Sequence, residues 1–395
     1  MFKSKNILRE ISDFLAVLVI LFSMSPFFVW EKPWLFIFVG CCIGLLLVVF
    51  FKKNVDKENL KLFLLITSFL VYLSIPFREY DSLSFKSPFS LLVLLFILLI
   101  SKKDYSWFFN KLRTIFYYIT LSSIISWCLF LLDFPFPVIE IPQSYRPQET
   151  DKYFLYYGFC YLNSQVQNIG GITVMRNVGW FGEPGHFGIY LCMFLIGQKY
   201  IFKGKINRTF IVGILTTMSL ASILLLIIIT LIKSRAHHFI FFSVILLIIF
   251  LLIPQDVLYS LILIKFKSEN VLLDRSLLPL NLLDLDLISL FFGYGSDFLS
   301  SNGYYSSDMR GFIFKYGLIS ILLSLIPVLY ISWYLYFQVC RNYAYLLAVF
   351  FMFIFLHRSW MIDTLYMWFF ICNFFYITLP KLSRNNLNDT FKLQV

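Results

Sequence analysis

From residue 12 to residue 380 the chain alternates apolar runs with short polar connectors, and each run is close to the ~20 residues that cross a bilayer as one helix. That pattern leaves few folds open. A segment in lipid must satisfy its own backbone polar groups, which only a helix or a closed barrel does. Residues AVILMFWYC make up 59% of the 395 positions, against about 45–50% apolar in a soluble domain. That supply covers about twelve spans of ~20 residues. Charged residues are 14% of the chain, and mean hydropathy is +0.80. A soluble enzyme, a disordered chain and a disulfide scaffold are excluded. The expectation is an all-α polytopic membrane protein, a single integral membrane domain over residues 1–395.

The formal charge is +11, from 33 Lys and Arg against 22 Asp and Glu. In a soluble chain this would suggest nucleic acid. Here it follows the bias of cytoplasmic loops toward Lys and Arg, and no nucleic-acid partner is expected. The seven cysteines, Cys41, Cys42, Cys128, Cys160, Cys192, Cys340 and Cys372, lie mostly within apolar runs and have no metal-ligand spacing. Packing is their expected role. No cleavable signal peptide is expected, because the run after the basic start is long and lacks a small-residue cleavage site.

Apolar runs fall near 12–30, 33–51, 62–77, 87–101 and 113–134, then near 185–202, 237–254, 311–332, 342–358 and 363–380. Connectors at Met1–Arg9, Lys52–Lys61 and Lys102–Arg113 are basic, whereas Glu31–Pro33 and Arg78–Lys86 are short or balanced. The N-terminus is therefore expected inside and residues 135–183 outside. Residues 209–234 are interrupted by Thr216, Thr217, Ser219 and Ser222. Read as two short helices turning near Met218–Ser222, they keep Lys233, Arg235 and the basic C-terminal residues inside. Residues 255–310 then lie outside, giving about twelve spans. A mostly apolar stretch at 257–271, broken by Lys265, Lys267, Glu269 and Asn270, is expected to lie along the outer interface.

The two long outer segments, 135–183 and 255–310, could then share one site. The first carries four prolines and five tyrosines between Pro135 and Tyr161. Loops of this length are uncommon unless functional or disordered, and its aromatic content argues against disorder.

The densest chemistry is the run from Arg176 to Phe187, Arg-Asn-Val-Gly-Trp-Phe-Gly-Glu-Pro-Gly-His-Phe. Pro184 suits the first turn of a helix, and Glu183 just before it would be favoured by the positive end of the dipole. An N-cap with shaping glycines is one reading of this run. Ionisable groups gathered at the membrane edge, Arg176, Glu183 and His186, point to function.

Arg-x-x-Gly-x-Phe-x-Glu-Pro-Gly, carried by Arg176, Gly179, Phe181, Glu183, Pro184 and Gly185, resembles the bacterial O-antigen and exopolysaccharide polymerase family, related to the O-antigen ligases. A second element looks like the same family's other loop. It comprises Arg275, then Phe292-Gly293-Tyr294-Gly295, then Ser301-Asn302-Gly303-Tyr304-Tyr305, with Tyr316-Gly317 opening the next span. Ser301 stands where the ligases carry a His. The resemblance implies a multi-pass protein of the bacterial inner membrane with its active site facing the periplasm. It implies a glycosyltransferase that takes glycan from undecaprenyl diphosphate onto another lipid-linked repeat unit. A ligase delivering glycan to lipid A-core, and a flippase or transporter of lipid-linked oligosaccharide, are the other readings. Implied partners are the lipid-linked oligosaccharide, the bilayer, a chain-length regulator and a flippase.

A leaving diphosphate needs its developing charge stabilised, and arginine donates bidentate hydrogen bonds to phosphate. Arg176, Arg275, Arg310 and Arg358 are the candidates. The acceptor hydroxyl must lose a proton, and Glu183 and His186 are the nearest candidate bases. Glu183 could equally orient Arg176 through an ion pair, and His186 could be a packed core histidine. Gly179, Pro184, Gly185, Gly293, Gly295 and Asn302 are expected to shape the loops. No cofactor and no metal are expected: the Asp284-Leu285-Asp286 spacing sits in an apolar setting, and His237-His238 adjoins a basic anchor.

Overall fold

The structure, a computed structural model, describes residues 57–74, 78–79, 102–142, 152–157, 159–162, 166–169, 172–198, 201–233, 285–304, 309–339 and 341–376, with ten positions between 14 and 27. The expected spans near 33–51, 87–101 and 237–254, the interfacial stretch 257–271 and Arg275 lie outside the described residues.

The described chain is mostly helical. Its helices are α1 (Lys57–Ser74), α2 (Lys102–Leu131), α3 (Pro184–Ile196), α4 (Lys205–Thr216), α5 (Leu220–Lys233), α6 (Leu287–Phe292), α7 (Phe298–Ser301), α8 (Met309–Tyr334), α9 (Arg341–Arg358) and α10 (Leu365–Tyr376). Two stretches are long and apolar enough to cross a membrane, Trp107–Leu131 in α2 and Met309–Phe337, which is α8 with the start of the π-helical turn after it. The basic connector Lys102–Arg113, expected to be a loop, is helical and opens α2. Its Lys111 ammonium lies 5.3 Å from the Trp107 ring centre, so a charge is accommodated on the helix surface.

The all-α expectation fails between α2 and α3. Strands β1 (Val138–Ile141), β2 (Tyr153–Tyr156) and β3 (Phe159–Leu162) form an antiparallel meander, and β4 (Val166–Ile169) pairs with β5 (Ile172–Met175). The reason is local. Tyr153-Phe154-Leu155-Tyr156 is an aromatic segment of the kind that favours a pleated, half-buried surface. Gly170-Gly171 separates the paired residues Ile169 and Ile172, a two-residue hairpin signal. Tyr156, Tyr161 and Met175 are buried against Trp127 and Phe130 at the C-terminal end of α2. The Trp127 indole N–H donates to the Met175 carbonyl at 2.6 Å.

Helix α3 is the axis of the packing. Every one of its residues except His186 is buried, which suits a helix apolar on all sides. Phe194 lies 4.7 Å from the Phe116 ring of α2 and 5.0 Å from Phe370 of α10, and Tyr190 meets Tyr366 at 5.1 Å. At its C-terminal end the Lys233 ammonium donates to the carbonyls of Ile196 and Gln198, the latter at 2.7 Å. A cation there is also favoured by the helix dipole.

Residues 205–233 form two helices, and the break at Thr217–Ser219 falls where the serines and threonines predicted a turn. In α8, Gly317 has φ +72°, which interrupts the helix. The carbonyls that this frees are met from outside. The backbone N–H groups of Tyr294 and Gly295 donate to Phe314 and Lys315 at 2.7 and 2.9 Å, and the Tyr72 hydroxyl donates to Tyr316 at 2.9 Å. The kink thus has an identifiable cause and leaves these acceptors satisfied.

Candidate functional site

Three of the expected site residues come together at the N-terminus of α3. Pro184 is in its first turn and Glu183 is its N-cap residue, with φ −143° and ψ 142°. The Glu183 side chain makes no capping hydrogen bond. Its Oε2 instead lies 2.7 Å from Nη2 of Arg358, at the far end of α9. The N-cap reading of Glu183 therefore accounts for its backbone and not for its carboxylate.

His186, one turn along, has Nε2 at 3.5 Å from the same carboxylate oxygen and in contact with Nη1 of Arg358. A guanidinium can only donate, so Arg358 is the donor in this contact. His186 is thus a partner in a polar triad. The side chains of His186 and Arg358 are each 12% exposed and that of Glu183 is 38% exposed. Glu183 is the member that faces outward. Nε of Arg358 is buried with no hydrogen-bond partner among the described residues, a cost of about 1–3 kcal/mol that native proteins tolerate mostly where function asks for it.

Gly185 makes room for this arrangement. A Cβ there would stand 2.7 Å from Nη2 of Arg358, so the guanidinium can lie against the helix start only because residue 185 has no side chain. The positive end of the α3 dipole and the guanidinium face one carboxylate. The local balance favours an additional anion.

The back wall is built by the α4–α5 break. The Arg176 Nε–H donates to the Thr217 carbonyl at 3.2 Å, and the Asn177 backbone N–H donates to the Thr216 carbonyl at 3.0 Å. The fully buried Asn177 side chain accepts from Ser123 at 2.5 Å and from the Gly179 N–H at 2.9 Å, and donates to the Thr216 hydroxyl at 3.1 Å. Gly179 adopts φ +62° with the Phe187 ring 3.0 Å from where a Cβ would be, so a larger residue there would be strained and crowded. Phe181 stacks on Phe116 at 5.7 Å. Sequence reasoning missed Asn177, although its place beside Arg176 in an otherwise apolar setting was a usable signal.

The second segment is organised around α6 and the start of α8. Asp286 caps α6, accepting from the Ser289 N–H at 3.1 Å, so this member of the Asp-Leu-Asp spacing has a structural task. Gly293 and Gly295 have φ +77° and +124° and bring the chain against the Gly317 kink. Asn302 is the C-cap residue of α7 and donates to the Phe298 carbonyl at 2.8 Å. Ser301, exposed, donates to the Asp297 carbonyl at 2.9 Å. Arg310 is exposed at the start of α8. Two residues on, Phe312 meets Phe355 of α9 edge-on at 6.1 Å, one turn before Arg358.

No protein-family model, curated protein or solved structure matches the chain.

Arg78 was not singled out from the sequence, yet it ties the end of α1 to the second segment at α6 and α8. It is 9% exposed, its Nε–H donates to the Phe292 carbonyl at 2.5 Å, and its guanidinium lies 4.7 Å from the Tyr72 ring centre. The signal was an arginine just past the end of the apolar run 62–77. Among the described residues there is no group of three or more His, Cys, Asp or Glu able to hold a metal ion.

Proposed function

We propose that the chain is a polytopic glycosyltransferase of the bacterial inner membrane, with about twelve spans and its site open to the periplasm. It transfers a growing glycan from undecaprenyl diphosphate onto the terminal sugar of another lipid-linked repeat unit. The observation that carries this reading is the pairing of Arg358 with His186, 172 positions away in the chain, and with Glu183 beside it. An arginine, expected on chemical grounds to hold a diphosphate, meets the carboxylate of the polymerase-like motif at a helix N-terminus.

In the reaction the acceptor hydroxyl oxygen forms a bond to the anomeric carbon while the bond from that carbon to the diphosphate oxygen breaks. The electron pair leaves with the polyprenyl diphosphate, and the hydroxyl proton passes to the Glu183 carboxylate. The carboxylate that holds Arg358 is thus the one that meets the hydroxyl. Arg358 and the α3 N-terminus stabilise the departing charge. Arg176, held by the Thr217 carbonyl, and Arg310 are the further diphosphate ligands.

The 13 residues of α3 rise ~20 Å, short of the ~30 Å hydrocarbon core. With Lys203 and Lys205 at the cytoplasmic surface, the triad lies below the level of the outer headgroups. Ionisable groups at that depth are expensive and mark a substrate path.

The test is a lipopolysaccharide gel from a deletion strain complemented with wild type or Arg358→Ala. Core bearing a single repeat unit in the deletion and mutant strains, with a ladder restored by wild type, is the expected result. Bare core without a single-unit band would overturn polymerisation and point to ligation or transport.

A further inference from the structure

A groove of about 530 Å³ runs along the outer flank of α2, lined by Ile115, Tyr118, Ser122 and Ile125 and closed at one side by Trp180. These α2 positions recur every three or four residues, so they form one stripe. From Ile115 to Ile125 the stripe extends ~15 Å, about half of the ~30 Å hydrocarbon thickness. Its walls are mostly apolar, and the Ser122 hydroxyl is turned back to the Ile119 carbonyl at 3.0 Å. Only 28% of the most apolar stretch of α2 is buried in the protein, and Tyr118 and Ile125 are 64% and 51% exposed. This flank therefore faces whatever surrounds the helix.

Two features tie the groove to the candidate site. Trp180 belongs to the segment Arg176–Glu183, three residues from the carboxylate that holds Arg358. That segment also sits at the level of the groove on α2, since Phe181 stacks on Phe116 and Asn177 accepts from Ser123. A diphosphate held by a site sunk below the headgroups cannot be attached to a chain that begins at the membrane surface. Its first isoprenoid units must lie beside the site, at the same depth, against an apolar wall.

Resting on the function proposed above, we propose that the α2–Trp180 groove holds the proximal isoprenoid units of the polyprenyl diphosphate carrier. The groove selects a long unsaturated chain by apolar contact, and the triad selects the diphosphate.

The experiment uses the full chain in lipid nanodiscs and a polyprenyl diphosphate with a photoreactive diazirine in its second isoprene unit. The expected result is labelling of residues 115–125 or Trp180 that unlabelled undecaprenyl diphosphate competes away and inorganic diphosphate does not. Labelling that maps elsewhere, or that undecaprenyl diphosphate leaves unchanged, as bulk lipid contact would be, overturns the proposal. Filling the groove with Ser122→Trp, or with Ile125→Trp at an exposed position, should raise KM for a long-chain donor by about tenfold or more, the scale of a lost apolar pocket contact. A short-chain donor should be unaffected, and kcat should hold. Leu329→Trp, on an exposed face of α8, serves as the control. Competed labelling without any glycan transfer would keep the groove and reject the polymerase. Transfer with an unchanged KM in both groove variants would keep the polymerase and reject the groove.

Discussion

At the scale of single residues, the strongest constraint is the contact between Arg358 and Glu183. Both side chains are partly withdrawn from water, so removing one partner strands the other's charge. Arg358→Ala is expected to reduce transfer by about 10²–10³, the usual effect of losing one electrostatic contact to a developing anion. If the two residues act as a unit, Glu183→Gln combined with Arg358→Ala should be little worse than the more harmful single change. Effects that simply multiply in a membrane transfer assay would separate them. A tighter steric test lies one turn into α3. A Cβ on Gly188 would stand 2.3 Å from the Ser222 hydroxyl and 2.5 Å from its Cβ. Gly188→Ala should therefore lower thermal stability in detergent by about 1–3 kcal/mol, as overpacking does. Ser222→Gly should restore it, since that change removes both clashing atoms.

Helices and strands pose different questions. Gly317 and Gly303 both have positive φ, +72° and +66°, yet a Cβ on Gly317 would meet the Phe291 carbonyl oxygen at 2.2 Å and one on Gly303 would meet nothing within 4 Å. Gly303→Ala should cost about 1 kcal/mol from backbone strain alone. Gly317→Ala should fail to give a monodisperse protein by size-exclusion chromatography, because backbone rather than a movable side chain stands in the way. In the β1–β3 meander, burial raises the Tyr156 hydroxyl above its ordinary value of 10.0, and the hydroxyl donates to the Phe134 carbonyl at 2.6 Å. Its neutral form is the one the fold favours. The stabilisation is thus complete below pH 10 and fades as pH rises toward the higher folded value. Alkaline titration followed by tyrosinate absorbance should show Tyr156→Phe removing a late-titrating group.

The same elements show what was legible beforehand. Thr216, Thr217, Ser219 and Ser222 marked a helix break from their polarity alone, and the break is there. That those residues also form the back wall of the candidate site was not legible, because it depends on α3 packing against the turn. The five strands were signalled by Gly170-Gly171 and by the aromatic run at 153–156, but apolar periodicity dominated the pattern. Arg358 was a candidate from its place at the end of a span. Its partnership with Glu183 and His186 joins α9 to the start of α3, with His186 172 positions away, and no local periodicity encodes such a contact.

For the whole molecule, the arrangement of charge predicts sidedness. In a background with the native cysteines replaced, Ile139→Cys, at an exposed position, should react with a membrane-impermeant thiol reagent only from the periplasmic side. Lys203→Cys should react only after the inner face is opened. The reverse pattern would invert the topology and separate the triad from a periplasmic substrate. The segment before α8 carries a further consequence. Its Tyr294 and Gly295 amides, with the Tyr72 hydroxyl, meet the carbonyls of the three residues just before the Gly317 kink, and Arg78 donates to the segment's own Phe292 carbonyl. Donors and acceptors are therefore inherited together. A chimera that exchanges this segment must keep Tyr294 through Lys315 in one piece, because a junction between Gly295 and Phe314 separates each amide from the carbonyl it was matched to.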